Sequence, residues 1–146
     1  MKKILKFLGL PLARKKLLVE ALLMVAGVRI GLWVVPYRRL NSWLPAAPCA
    51  EASQTIDWPT IREAAAAVSL CSRFVPQATC LTQAIATQTL LRRRGLDSRL
   101  TIGVDKDETG AFLAHAWIEI EGKIVIGRLP NIRRYSVMSY SKEQLV

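Results

Sequence analysis

The stretch Thr79-Cys-Leu-Thr-Gln-Ala-Ile-Ala-Thr-Gln-Thr-Leu-Leu-Arg-Arg-Arg-Gly95, followed by Ser98-Arg-Leu-Thr-Ile-Gly-Val104, marks a change of period. In its first part Leu81, Ala84, Ile85, Gln88 and Leu91 recur at helical spacing. Thr79 suits an N-cap, whose side-chain oxygen takes a backbone N–H of the first turn. Gly95 suits the left-handed position just past the last turn. Arg92, Arg93 and Arg94 fall at the negative end of the helix dipole. A helix is therefore expected over residues 80–94. From Ser98 onward, β-branched and aromatic residues alternate. Strands are expected over 98–104, 112–121 and 123–126, with a last short one over 135–140. Residues 105–110 form a polar loop, Glu121-Gly122 a turn, and Pro130-Asn131 a break.

Upstream of this switch the pattern is helical. Asp57 is a candidate N-cap with Pro59 in the first turn, so residues 58–74 read as a helix that Pro76 ends. Leu17, Ala21, Met24, Val28 and Leu32 lie on one side of a longer helix over 12–33. Gly27 and Gly31 weaken that helix, and Pro36 stops it. Residues 38–44 suit a further short helical turn, and 44–57, with Pro45 and Pro48, a loop. Helices first and an antiparallel meander afterwards make the fold class α+β. Residues 1–44 are expected as an N-terminal helical segment packed on a core of residues 45–146.

The chain has 146 residues, enough for one domain. With 51% apolar and 22% charged residues it is neither a linker nor a disordered tail. Its net charge of +10 is uneven. Residues 1–44 hold nine basic side chains and one acid, and the remaining segments nearly cancel. An anionic partner would thus meet the N-terminal helices. A nucleic-acid module is not expected, for want of a helix-turn-helix sequence, an RNP-type strand or interleaved aromatic and basic residues.

Lys6 and then Arg14, Lys15 and Lys16 interrupt any signal-peptide core, and Glu20 and Arg29 interrupt residues 17–35. The unbroken apolar run 21–28 is far short of the roughly 18 residues a membrane span requires. A buried helix is the favoured reading of this segment, and a membrane-surface helix its alternative. Cys49, Cys71 and Cys80 are an odd number without an export signal, so no disulfide framework is expected and a cytoplasmic location follows. With no C-x-x-C pair and His115 the only histidine, no metal site is expected, nor any cofactor.

Cys80 opens a helix, where unpaired backbone N–H groups and the positive dipole end favour thiolate and could hold an oxyanion. Cys71 falls near a helix end, and Cys49 in a loop. By position Cys80 is the candidate nucleophile, and His115 is the base available to it. Each alone reads more simply as a core or structural residue. Trp117 shares the strand face of His115 and is either a core aromatic or a wall of the site. Gly103 permits close backbone approach or marks a bulge.

The segments Cys80-Leu-Thr-Gln-Ala-Ile-Ala, Leu90-Leu-Arg-Arg-Arg-Gly, Leu100-Thr-Ile-Gly-Val and Ala114-His-Ala-Trp-Ile-Glu-Ile-Glu-Gly, in this order, resemble one family. It is the transglutaminase-like cysteine peptidases of lasso peptide biosynthesis, the stand-alone B proteins that remove the leader from a precursor peptide. Leu17-Leu-Val-Glu-Ala-Leu-Leu and Tyr37-Arg-Arg-Leu look like the same form. The resemblance implies a transglutaminase-like, papain-like core whose catalytic helix packs on a small antiparallel sheet. Cys80 would be the nucleophile and His115 its base, with Trp117 a substrate-binding residue.

The implied partners are the leader region of the precursor, a separate leader-recognition protein and a lasso cyclase, with no nucleic acid. Membrane contact by the N-terminal helices is open but not favoured. The chain departs from the family pattern at one place. An aspartate often follows the histidine by twelve positions, and that position here is Gly127. The imidazole is then expected to be oriented by a side-chain amide or a backbone carbonyl, with Asn131 favoured, and Glu119 as the rival. The missing acid also keeps a second function in view: a catalytically degenerate scaffold that binds precursor peptide and partner proteins.

Overall fold

Hydrogen-bonding devices written into the sequence start two of the helices. In the computed structural model, which describes residues 11–36 and 55–138 together with Gly9, Arg39, Leu40 and Ser42, α1 is Leu12–Val34, α2 is Trp58–Ser72 and α3 is Cys80–Arg93. Asp57 accepts from the Thr60 N–H at 3.2 Å, with Pro59 in the first turn. Those bonds to Thr60 hold the Asp57 carboxyl below its ordinary pKa. Thr79 accepts from the Thr82 N–H at 3.3 Å, and Gly95 follows α3 with a φ of +74°.

The sheet comprises β1 (Arg99–Lys106), β2 (Phe112–Ile120), β3 (Lys123–Ile126) and β4 (Ser136–Met138), antiparallel throughout, in the order β3-β2-β1-β4. β1 to β3 form the expected meander. β4 does not continue it. After a 3-10 turn at Ile132–Arg134 the chain returns to the far edge, where Val137 pairs with Gly103. The even-numbered residues Ala116 and Ile118 of β2 join Ile126 in a core with the helices. α3 adds Ala84, Ile85, Ala86 and Leu90, α2 adds Ala65, Ala67, Val68 and Cys71, and α1 adds Ala21, Val25 and Val28. Alanine at so many contact positions lets the helix backbones approach closely. The buried Gln88 amide donates to Ser98 O at 3.0 Å and ties α3 to the chain just before β1.

Among the described residues, α1 is attached to the domain by one face. Glu20 reaches Arg94 at 2.9 Å and Arg93 at 3.3 Å, so two of the three arginines read as a helix-end cluster grip α1. Arg29 donates to Gln77 at 2.5 Å, and Gln77 holds a left-handed φ of 59° in the loop before Cys80. The opposite face of α1 is exposed apolar surface, which differs from the expectation of a buried helix. The helix is long and apolar enough to cross a membrane by length and composition. Charging the attached face should unfold the protein. Val25→Asp puts an unpaired carboxylate at a fully buried position, and circular dichroism should report loss of the native fold. The expected turn at residues 38–44, the loop 44–57 with Cys49, and any strand beyond Met138 lie wholly or largely outside the described residues.

Candidate functional site

α3 and β2 run side by side. Leu91 near the end of the helix packs in one cluster with Ile120 at the end of the strand. Eleven helical residues back from Leu91 span about 16 Å, and five strand residues back from Ile120 span about the same. The start of α3 therefore lies toward the His115 end of β2. Cys80 is the first residue of the helix and half-buried. Thr79 occupies the Thr82 N–H, so the first-turn N–H groups of Cys80 and Leu81 have no carbonyl within the helix.

The side chain of His115 is held from several sides. Its Nε2 lies 2.7 Å from the carbonyl oxygen of Gly127. A carbonyl only accepts, so Nε2 carries the proton and donates it, and in the neutral ring Nδ1 keeps the lone pair. Trp117 stacks at 6.2 Å between ring centroids, and Tyr135 lies at 5.9 Å in a tilted arrangement. The Trp117 indole N–H donates to Glu119 at 2.5 Å. Gly103, the β1 partner of His115, makes room for these rings. A Cβ there would stand 2.7 Å from the Trp117 ring and 2.9 Å from Tyr135 Cβ.

These contacts revise three expectations. Of the two groups expected to orient the imidazole it is the backbone carbonyl that does so, supplied by Gly127 and not by the favoured Asn131, which is exposed, has no side-chain capping bond and accepts at its own carbonyl from the Arg134 N–H. Glu119 is engaged by Trp117 and not by the imidazole. Trp117 itself is 3% exposed, so it backs the histidine as a core aromatic and offers no surface to a substrate. Tyr135 was missed, because nothing in its neighbourhood in sequence announces that the chain doubles back there.

Cys80 opens α3 and His115 stands in β2, on which α3 packs, but no hydrogen bond joins them among the described residues, and the imidazole lies on the sheet face turned away from the helices. His115 shares strand parity with Trp117, whereas Ala116 and Ile118 face the helical core. Cys71 is a different kind of thiol. It is buried, donates to Leu18 O at 3.4 Å, and burial pushes its pKa up. Among the described residues no group of His, Cys, Asp or Glu side chains is arranged to hold a metal.

Next to the histidine's anchor, a cleft of about 660 Å³ is lined by Trp58, Arg62, Lys123, Arg128 and Arg133. Arg128 directly follows Gly127, and Lys123 stacks over the Trp58 ring at 4.9 Å. Among the described residues none of these four cations has a carboxylate partner.

The transglutaminase-like superfamily model matches residues 22–140. The microcin J25-processing protein McjB of Escherichia coli is 41% identical over 54 residues, covering 37% of this chain. The chain spans about a quarter of that relative's length, 24% being matched. No solved structure matches. A helix opened by a cysteine, packed on an antiparallel sheet that carries the histidine, is the arrangement expected of that family, and the match covers most of the chain: this protein belongs to the transglutaminase-like superfamily.

Proposed function

We propose that the protein is a cysteine peptidase that removes the leader from a ribosomally made lasso precursor peptide. The observation carrying this reading is the tethered imidazole: with Nε2–H committed to the Gly127 carbonyl, Nδ1 is the free base. Cys80 acts as the nucleophile. Nδ1 takes the thiol proton, and the thiolate attacks the carbonyl carbon of the leader–core amide. The first-turn N–H groups of α3 hold the oxyanion. The imidazolium then gives its proton to the departing core amine, leaving an acyl-enzyme on the leader that water hydrolyses. No hydrogen bond joins Cys80 and His115 in the resting structure and the imidazole lies on the sheet face away from the helices, so this sequence of steps requires the two side chains to close on each other when substrate binds.

The similarity to a microcin J25-processing protein supports the substrate class. The cleft beside Arg128, with its four uncompensated cations, suits an acidic stretch of the peptide. A separate leader-recognition protein and a lasso cyclase are the partners proposed with it, in the cytoplasm. The N-terminal residues 1–44 serve as a helical segment on the catalytic core. Incubation with a lasso precursor peptide, with and without the leader-recognition protein, tests the reading by mass spectrometry. Two products summing to the precursor plus one water are expected. Binding without cleavage by the fully folded protein in the presence of its partner would favour the scaffold reading.

Replacing Asn131 separates the anchors. Asn131→Ala should leave the cleavage rate within about two-fold of the parent, since the side chain does not hold the imidazole. A ten-fold loss with an unchanged fold would return the orienting role to Asn131.

A further inference from the structure

We propose that the outer face of α1 lies on an anionic lipid surface. Leu12, Val19, Leu23, Ile30 and Val34 are exposed and fall, with Lys16, within an arc of about 60° at 3.6 residues per turn. Leu23 and Ile30 are 68% and 63% exposed, and Trp33, on the flank of the stripe, 78%. The stripe is continuous from Leu12 to Val34, about 33 Å at 1.5 Å per residue. No acid breaks it: Glu20 is turned aside to Arg93 and Arg94. Scattered exposed apolar side chains are ordinary, but an aligned set of this length marks an interaction surface.

Charge identifies the occupant. Arg14, Lys15 and Lys16 lie in the first two turns of α1, and residues 1–44 carry nine basic side chains against one acid. A second copy of a +10 chain would meet like charge there, whereas an anionic headgroup layer meets opposite charge. An apolar stripe with basic residues at one end and a tryptophan at the other is the pattern of a helix lying in the membrane interface. The helix lies on the bilayer and does not cross it. Ala21, Val25 and Val28 on its other face are buried in the domain core, and Glu20 and Arg29 are bonded to α3 and to Gln77. Spanning would strip away all of these contacts. The helix thus serves two surfaces, its inner side the domain core and its outer side the lipid.

Flotation of the full-length protein with phosphatidylcholine vesicles, with and without 30% phosphatidylglycerol, tests this. At low salt the protein should partition to the anionic vesicles at least ten-fold more than to the neutral ones, and high salt should remove the difference. Lys16→Glu should weaken partitioning at least five-fold, because one basic side chain near an anionic leaflet contributes about that factor. The double variant Leu23→Asp/Ile30→Asp should keep the parental circular dichroism and no longer float. If that variant fails to fold, brominated lipids still decide. They should quench tryptophan emission of the parent, and Trp33→Phe should remove most of the quenching. A folded parent that floats with neither vesicle overturns the proposal. So does quenching that is indifferent to Trp33→Phe. A parent that sediments as a dimer, made monomeric by Leu23→Asp/Ile30→Asp and never bound to vesicles, assigns the stripe to a second copy.

Discussion

Cys80→Ala should abolish precursor cleavage, with a fall of about four orders of magnitude or more, as for loss of the nucleophile in other covalent enzymes. Cys71→Ala should keep most of the rate and lose stability instead. Two thiols so near in sequence make a sharp internal control, because their surroundings differ. Cys80 is half-buried at the open end of a helix, where backbone N–H groups face any charge that forms on it. Cys71 is buried in the shared core of α1 and α2, gives its S–H to Leu18 O, and is held in the neutral form by desolvation. Removing its sulfur costs about 1 kcal/mol for the hydrogen bond and a further amount for the small void. Iodoacetamide should accordingly modify Cys80 in the folded protein and spare Cys71 until the chain is unfolded, which peptide mass mapping reads directly. Cys49→Ser should leave cleavage largely intact. Equal loss from Cys71→Ala at parental stability would mean that the nucleophile has been misassigned.

Helix beginnings were legible because a capping side chain does its work within three residues of its own position. Asp57 with Thr60, and Thr79 with Thr82, are local bonds between letters that stand close together. Strands β1 to β3 were legible for a similar reason, since alternation is a property of neighbouring residues. β4 was not. Three residues, Ser136–Met138, pair with β1 and not with β3, and the choice between two sheet edges is made by tertiary packing that no local pattern encodes. The outer face of α1 was hidden by its own composition. When both sides of a helix are apolar, periodicity does not tell which side the domain covers.

The anchor of His115 was legible in kind, since a backbone carbonyl was one of the two groups expected, but not in position, because every residue carries a main-chain oxygen. Sequence inspection searches for a side chain that could orient the imidazole, and Asn131 and Glu119 are what such a search returns. A glycine in the position often held by an acid reads as a deletion of function. In the structure it still bonds to the ring, through its carbonyl. A peptide carbonyl carries only partial charge, so it fixes the tautomer while stabilising the imidazolium less than a carboxylate would.

That substitution of backbone for side chain closes Gly127 to change, and restoring the family's aspartate should fail there. Gly127 has a φ of +85°, and a Cβ on it would stand 2.6 Å from the carbonyl oxygen of Ala116 and 2.9 Å from Trp117 Cβ. The first obstacle is main chain inside β2, which cannot swing aside as a flexible side chain could. A non-glycine residue at such a φ costs about 1–2 kcal/mol, and forcing extra volume into a packed site costs about 1–3 kcal/mol more. For a domain of this size the sum lowers the melting temperature by on the order of 10 °C. Gly127→Ala and Gly127→Asp should both show this loss. Both should also cleave at least ten-fold more slowly at a temperature where they remain folded, because relieving the clash moves the carbonyl away from Nε2. The aspartate variant is the more telling, since it tests whether the missing acid alone limits the enzyme. If Gly127→Asp melts at the parental temperature and cleaves faster than the parent, the glycine is a lost acid after all, and its carbonyl bond to His115 is incidental.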